Sequence, residues 1–113
     1  MEGQENMKLE AVGKPRGCKL LRISAEFSEP WGEDSLLESI FIRGDFFAIP
    51  EERFEAMETR LKGRKLAELD KAFDSLIEEL QIQAMGISGE GILATLRGAI
   101  HEASVQDSAD RSR

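Results

Sequence analysis

The sequence predicts an α+β domain: an antiparallel meander of two or three strands, followed by three helices packed on one face of it. Three observations carry this. Apolar residues alternate with polar ones from Leu21 to Phe27, the period of a half-buried strand. A continuous apolar stripe at helical spacing runs from Leu66 to Leu80. Between the two halves stands Pro50-Glu51-Glu52, a helix-start signal, and strands followed by helices argue for helices on one face of a sheet.

The elements follow in order. Lys8 to Lys14 reads as a short strand, and Pro15-Arg16-Gly17 as a turn, because proline presets φ and glycine tolerates positive φ. Cys18 to Phe27 reads as the second strand. Leu21, Ile23, Ala25 and Phe27 take one face, and Arg22, Ser24 and Glu26 the other. The run Glu29-Pro30-Trp31-Gly32-Glu33-Asp34 breaks it. Leu36 to Arg43 resumes, with Ile40 and Ile42 on one side, Phe41 and Arg43 on the other. The first helix begins at Pro50, buries Phe54, Met57 and Leu61, and stops at Gly63. The second starts near Leu66 and buries Leu69, Phe73, Leu76, Ile77 and Leu80. The third starts near Ser88 or Gly89, with Ser88 as its cap and Ile92, Leu93, Leu96, Ile100 and Ala103 facing inward. Residues 1–7 are polar and read as disordered. Residues 8–103 form the domain. Residues 104–113, rich in Ser, Asp and Arg, read as a disordered tail.

With 113 residues, the chain is one domain and large enough for a core without covalent staples. Twenty-two acidic side chains against 15 basic ones give a net charge of −7, which argues against nucleic acid as a partner. No apolar run reaches the length of a membrane span, and the acidic start lacks the pattern of a secretory signal. Cys18 stands alone, so an internal disulfide is excluded. A cytoplasmic location is expected. No Ser/His/Asp, Cys/His or paired-carboxylate arrangement stands out, and the single His101 has no evident partner.

Several residues still invite a functional reading. Lys14, Arg16, Lys19 and Arg22 form the densest basic run of an acidic chain. They read either as a patch that meets an acidic partner or nucleotide phosphates, or as a solvated hairpin. Gly44 and Asp45 close the third strand, where Asp45 is first of all a turn residue. Phe46 and Phe47 cannot both face the core from an extended segment, so one is left to anchor a partner; Phe41 and Trp31 invite the same question. Gly86-Ile87-Ser88-Gly89-Glu90-Gly91 has the look of a phosphate loop but lacks the Lys-Ser/Thr that follows one, and reads as a plain helix start.

Three stretches together resemble a known family: Lys14-Pro15-Arg16-Gly17-Cys18-Lys19-Leu20; Ile42-Arg43-Gly44-Asp45-Phe46-Phe47 followed by Pro50-Glu51; and the two helices joined by Leu61-Lys62-Gly63-Arg64. In order and spacing they are similar to the C-terminal accessory domain of lipoate–protein ligases. Cys18 stands where that family usually has a second glycine. The length and methionine start match the form in which this domain is a separate chain.

The resemblance implies a fold like that of sulfur-acceptor and iron–sulfur scaffold proteins. It implies a catalytic subunit that binds ATP, Mg and lipoate, forms lipoyl-adenylate and passes lipoate to a lysine of an acceptor protein. This chain would bind no cofactor itself and would hold no catalytic residue. Its expected contact residues are Lys14, Gly17, Lys19, Gly44, Asp45, Phe46 and Phe47. Its partners would be the catalytic subunit and, indirectly, lipoyl-acceptor proteins. The alternatives are a scaffold or carrier of sulfur metabolism that uses Cys18, or another interaction adaptor.

Overall fold

The computed structural model describes residues 6–28 and 32–111, with side chains described to residue 102. Three strands, β1 (Met7–Gly13), β2 (Leu21–Phe27) and β3 (Leu37–Gly44), form an antiparallel sheet in the order β1-β2-β3. Its register aligns Gly13, Leu21 and Gly44 at one end. The alternation then does what it predicts. Leu9, Ala11, Leu21, Ile23, Ala25, Phe27, Leu37, Ile40 and Ile42 are buried on one face, while Val12, Arg22, Phe41 and Arg43 stand on the open one.

Helices α1 (Glu51–Arg60), α2 (Leu69–Glu79) and α3 (Gly89–Arg111) follow. Helix α3 packs on β1 and β2, α1 packs on β3, and α2 packs on both helices. Pro50 caps α1, its carbonyl accepting from Arg53 and Phe54. The chain leaves α1 through Gly63, whose φ of 86° a side chain would resist and whose N–H bonds the Leu37 carbonyl at 2.8 Å. The helical stripes meet the sheet in one core: Phe54, Met57 and Leu61 from α1, Leu69, Phe73 and Leu76 from α2, Ile92, Leu93 and Leu96 from α3. Ile77, Leu80 and Ile100 are only partly buried at its margin.

The structure departs from the sequence reading at six places. The second strand begins at Leu21, not Cys18, because the Cys18 N–H closes a turn onto the Pro15 carbonyl and the Lys19 N–H is taken by Gly86. Leu36 lies outside β3 and makes an isolated bridge to Lys65. The second helix opens with a separate 3-10 turn at Leu66–Glu68. A second, two-stranded sheet of β4 (Phe47–Ile49) and β5 (Gln83–Met85) was not foreseen, since three residues are too few to show a period. Strand β1 starts at Met7, one residue before the predicted Lys8, and α3 runs on past Ala103 to Arg111. Residues 1–5 and Trp31 lie outside the described residues. Among the described residues no helix is long and apolar enough to cross a membrane.

Candidate functional site

The predicted contact residues come from two segments separated by more than twenty positions, and the sheet register brings them together. Strand β1 ends, and β2 begins, beside the end of β3, so the basic turn between β1 and β2 lies next to the Gly44-Asp45 turn. The Asp45 N–H donates to the Leu20 carbonyl at 3.0 Å. Gly44 has φ 147°, and a methyl group there would overlap the Leu20 carbonyl oxygen. Only glycine allows this approach.

A third segment completes the corner. The Gly86 carbonyl accepts from the Lys19 N–H at 2.8 Å, and a methyl at Gly86 would meet both the Lys19 side chain and the Phe46 backbone. Next, α3 starts under the turn. Ser88 accepts from the Gly91 N–H at 3.0 Å, the cap that the sequence predicts, and Asp74 accepts from the Gly89 N–H at 3.0 Å. Two side-chain oxygens, one a carboxylate, therefore occupy N–H groups that a phosphate loop would leave open.

Cys18 faces inward at this junction. It is 7% exposed, packs against Gly91 and lies 3.6 Å from the Ser88 hydroxyl. Here the sulfur serves as a small apolar filler. His101 is exposed and lies inside α3, since the helix runs ten residues further than its position.

The cations of the corner are exposed. Lys14, Arg16, Lys19 and Arg22 make no ion pair among the described residues, although the chain carries 22 acidic side chains. Gly17, with φ 76°, forms the exposed tip of the turn. Arg22 and Arg43 stand directly opposite each other on the open face of the sheet. Like charges so placed repel, and Arg43 is relieved by Glu58 at 3.3 Å and by the Phe41 ring at 5.8 Å.

Phe46 and Phe47 divide as their adjacency requires. Phe46 is half-buried, with its ring 5.4 Å from that of Phe54, which in turn meets Phe73 at 6.4 Å. Phe47 is 51% exposed and pairs across the small sheet with Met85, which is 70% exposed. Ile49 is exposed on the same side, and Ala48 and Ala84 take the inner side. A cleft of about 370 Å³ opens between β4 and α1, lined by Phe46, Phe47, Ala48, Ile49 and Phe54, with the charged Arg43, Glu51 and Glu55 also on its lining.

Two participants escaped the sequence reading. Met85 gave no signal, because β5 is too short. Glu58 did: it falls at helical spacing between Phe54 and Leu61 on the buried side of α1. The residue is 5% exposed, and its carboxylate accepts from the Ile42 N–H at 2.8 Å. Burial raises its pKa, against the lowering pull of that N–H and of Arg43.

No family model and no curated protein matches the sequence. The fold does have a counterpart. It matches one chain in the structure of an archaeal lipoylation system, a bipartite lipoate protein ligase and its E2 lipoyl domain from Thermoplasma acidophilum. The TM-score is 0.55 and the identity 19%, over 82% of this chain and 96% of that chain. At that identity the likeness is one of fold. The matched system is a lipoate ligase, the family that the three sequence stretches resemble.

Proposed function

We propose that this chain is the non-catalytic accessory subunit of a bipartite lipoate–protein ligase, acting with a catalytic chain in ATP-dependent lipoate activation and protein lipoylation. One observation carries the reading. The basic turn and the Gly44-Asp45-Phe46-Phe47 segment, which resemble the ligase domain separately, meet in one corner on a fold shared with a component of a bipartite ligase system. The match spans nearly all of the other chain, so the likeness is between whole small domains.

The chemistry fits an assisting role. Adenylation places phosphates and a carboxylate together, and exposed cations brought beside such a centre stabilise its negative charge. Closing a second domain over the site also excludes water that would hydrolyse the adenylate. In this reading the cations are Lys19, whose N–H is bound by the Gly86 carbonyl, and Lys14, just past the end of β1. ATP, Mg and lipoate belong to the catalytic chain in this reading. The sulfur-carrier alternative needs a reachable thiol, and Cys18 is buried against α3.

The test is reconstitution from purified chains. The catalytic chain alone is expected to fail at making lipoyl-adenylate from lipoate and ATP, yet to transfer lipoate from presynthesised adenylate. Adding this chain restores the first step. Equal adenylation without it overturns the proposal.

A further inference from the structure

We propose that the small sheet and the cleft beside it form the anchoring surface for the catalytic chain, and that they receive an apolar side chain flanked by a basic residue. The inference rests on the function proposed above and names where that partner docks and with what chemistry.

Apart from Arg43, which Glu58 holds at 3.3 Å, the surface is ordered as acid, apolar, base. Glu51 and Glu55, one helical turn apart, both border the cleft and make no ion pair among the described residues. Next come Ile49 and Phe47, then Met85 across the strand pair. Beyond Met85, Gly86 is hydrogen-bonded to Lys19, the near edge of the basic turn. Three large apolar side chains are therefore exposed side by side on a hydrogen-bonded strand pair, between carboxylates and cations that make no ion pair among the described residues.

Each part has a consequence for the occupant. The cleft has an aromatic floor in Phe46 and Phe54 and a volume in the range that takes a side chain or small ligand. Its free carboxylate lip calls for a lysine or arginine next to the inserted group, and the cationic turn calls for a carboxylate on the other flank. Opposite charges on the two flanks fix the orientation of docking, which an apolar patch alone does not. A second copy of this chain is disfavoured as occupant, because two copies each carry −7. A small apolar patch with charged flanks suits a hot spot inside a larger interface.

The experiment measures affinity between this chain and the purified catalytic chain of the ligase by titration calorimetry. Phe47→Ser is expected to weaken binding by about tenfold or more. Glu51→Lys with Glu55→Lys is expected to weaken it similarly and to lower its association rate. Val12→Ser, an equally exposed apolar site on β1, leaves affinity unchanged. Thermal unfolding of each variant separates lost contact from lost fold; all four positions are exposed. Unchanged affinity in the Phe47 and Glu51/Glu55 variants overturns this docking surface and leaves the proposed function standing. Absence of binding by the unsubstituted chain overturns both.

Discussion

The Glu58 carboxylate accepts a hydrogen bond from the Ile42 backbone N–H at 2.8 Å, so that a buried acid of α1 closes the outer edge of β3. An edge strand otherwise offers its N–H groups to any passing chain. The same oxygen holds Arg43, which lies between the open sheet face and the cleft. Replacing Glu58 with Ala strands a buried donor, and the expected loss of stability is about 1–3 kcal/mol by denaturant unfolding.

The same residue sets a pH dependence. Burial raises the Glu58 pKa above its ordinary value of 4.5, so the folded state holds this proton more tightly than the unfolded state. Its contribution is therefore fully present below 4.5 and is lost as the pH rises through the higher folded value. Glu58→Gln keeps an acceptor for Ile42 without the charge. Compared with this variant, the unsubstituted chain should lose stability as the pH is raised from 4.5 towards neutrality. Parallel pH–stability curves would show that Glu58 has no such role.

Gly44→Ala tests the junction of the two contact segments. The added methyl has no room against the Leu20 carbonyl, and φ 147° opposes any side chain. The expected cost is about 3 kcal/mol, with exchange of the Asp45 amide proton faster than in the parent. A variant as stable as the parent would mean that Leu20 and Gly44 separate freely.

Ser88→Ala removes the cap of α3. Loss of its bond to the Gly91 N–H should cost about 1 kcal/mol in unfolding free energy. The loss should be smaller at Ser24→Ala, whose hydroxyl bonds Glu10 on the exposed sheet face.

Charge reversal tests the basic turn. Lys14→Glu with Lys19→Glu should lower lipoyl-adenylate formation by the assembled ligase about tenfold or more, with the unfolding midpoint unchanged. Both side chains are exposed and without ion pairs among the described residues, so charge reversal breaks no ion pair among them. Full activity in this variant returns the turn to an ordinary solvated hairpin.

Much of the fold was legible from residue periods. The alternation from Leu21 to Phe27 placed the central strand face by face, and the stripe from Leu66 to Leu80 placed α2, because burial on one side of a regular element leaves its period in the sequence. Ser88 as a cap and Gly63 as a stop were local chemistry and read equally well. The elements that escaped are those without a period. Strands β4 and β5 have three residues each, and their neighbours Asp45 and Gly86 are tied to the β1–β2 connection.

The candidate site divides the same way. The sequence by itself determined its constituents: a basic turn, a Gly-Asp-Phe-Phe segment, a lone cysteine, and adjacent phenylalanines that could not both be buried. Only the tertiary structure decided how they combine. It turned Phe46 inward and Phe47 outward, set Met85 beside Phe47, buried Cys18 against Gly91, and placed Glu58 under the edge of β3. These are pairings between residues distant in the chain. Their partners are chosen by which backbones can approach closely, and that choice leaves no local pattern to read.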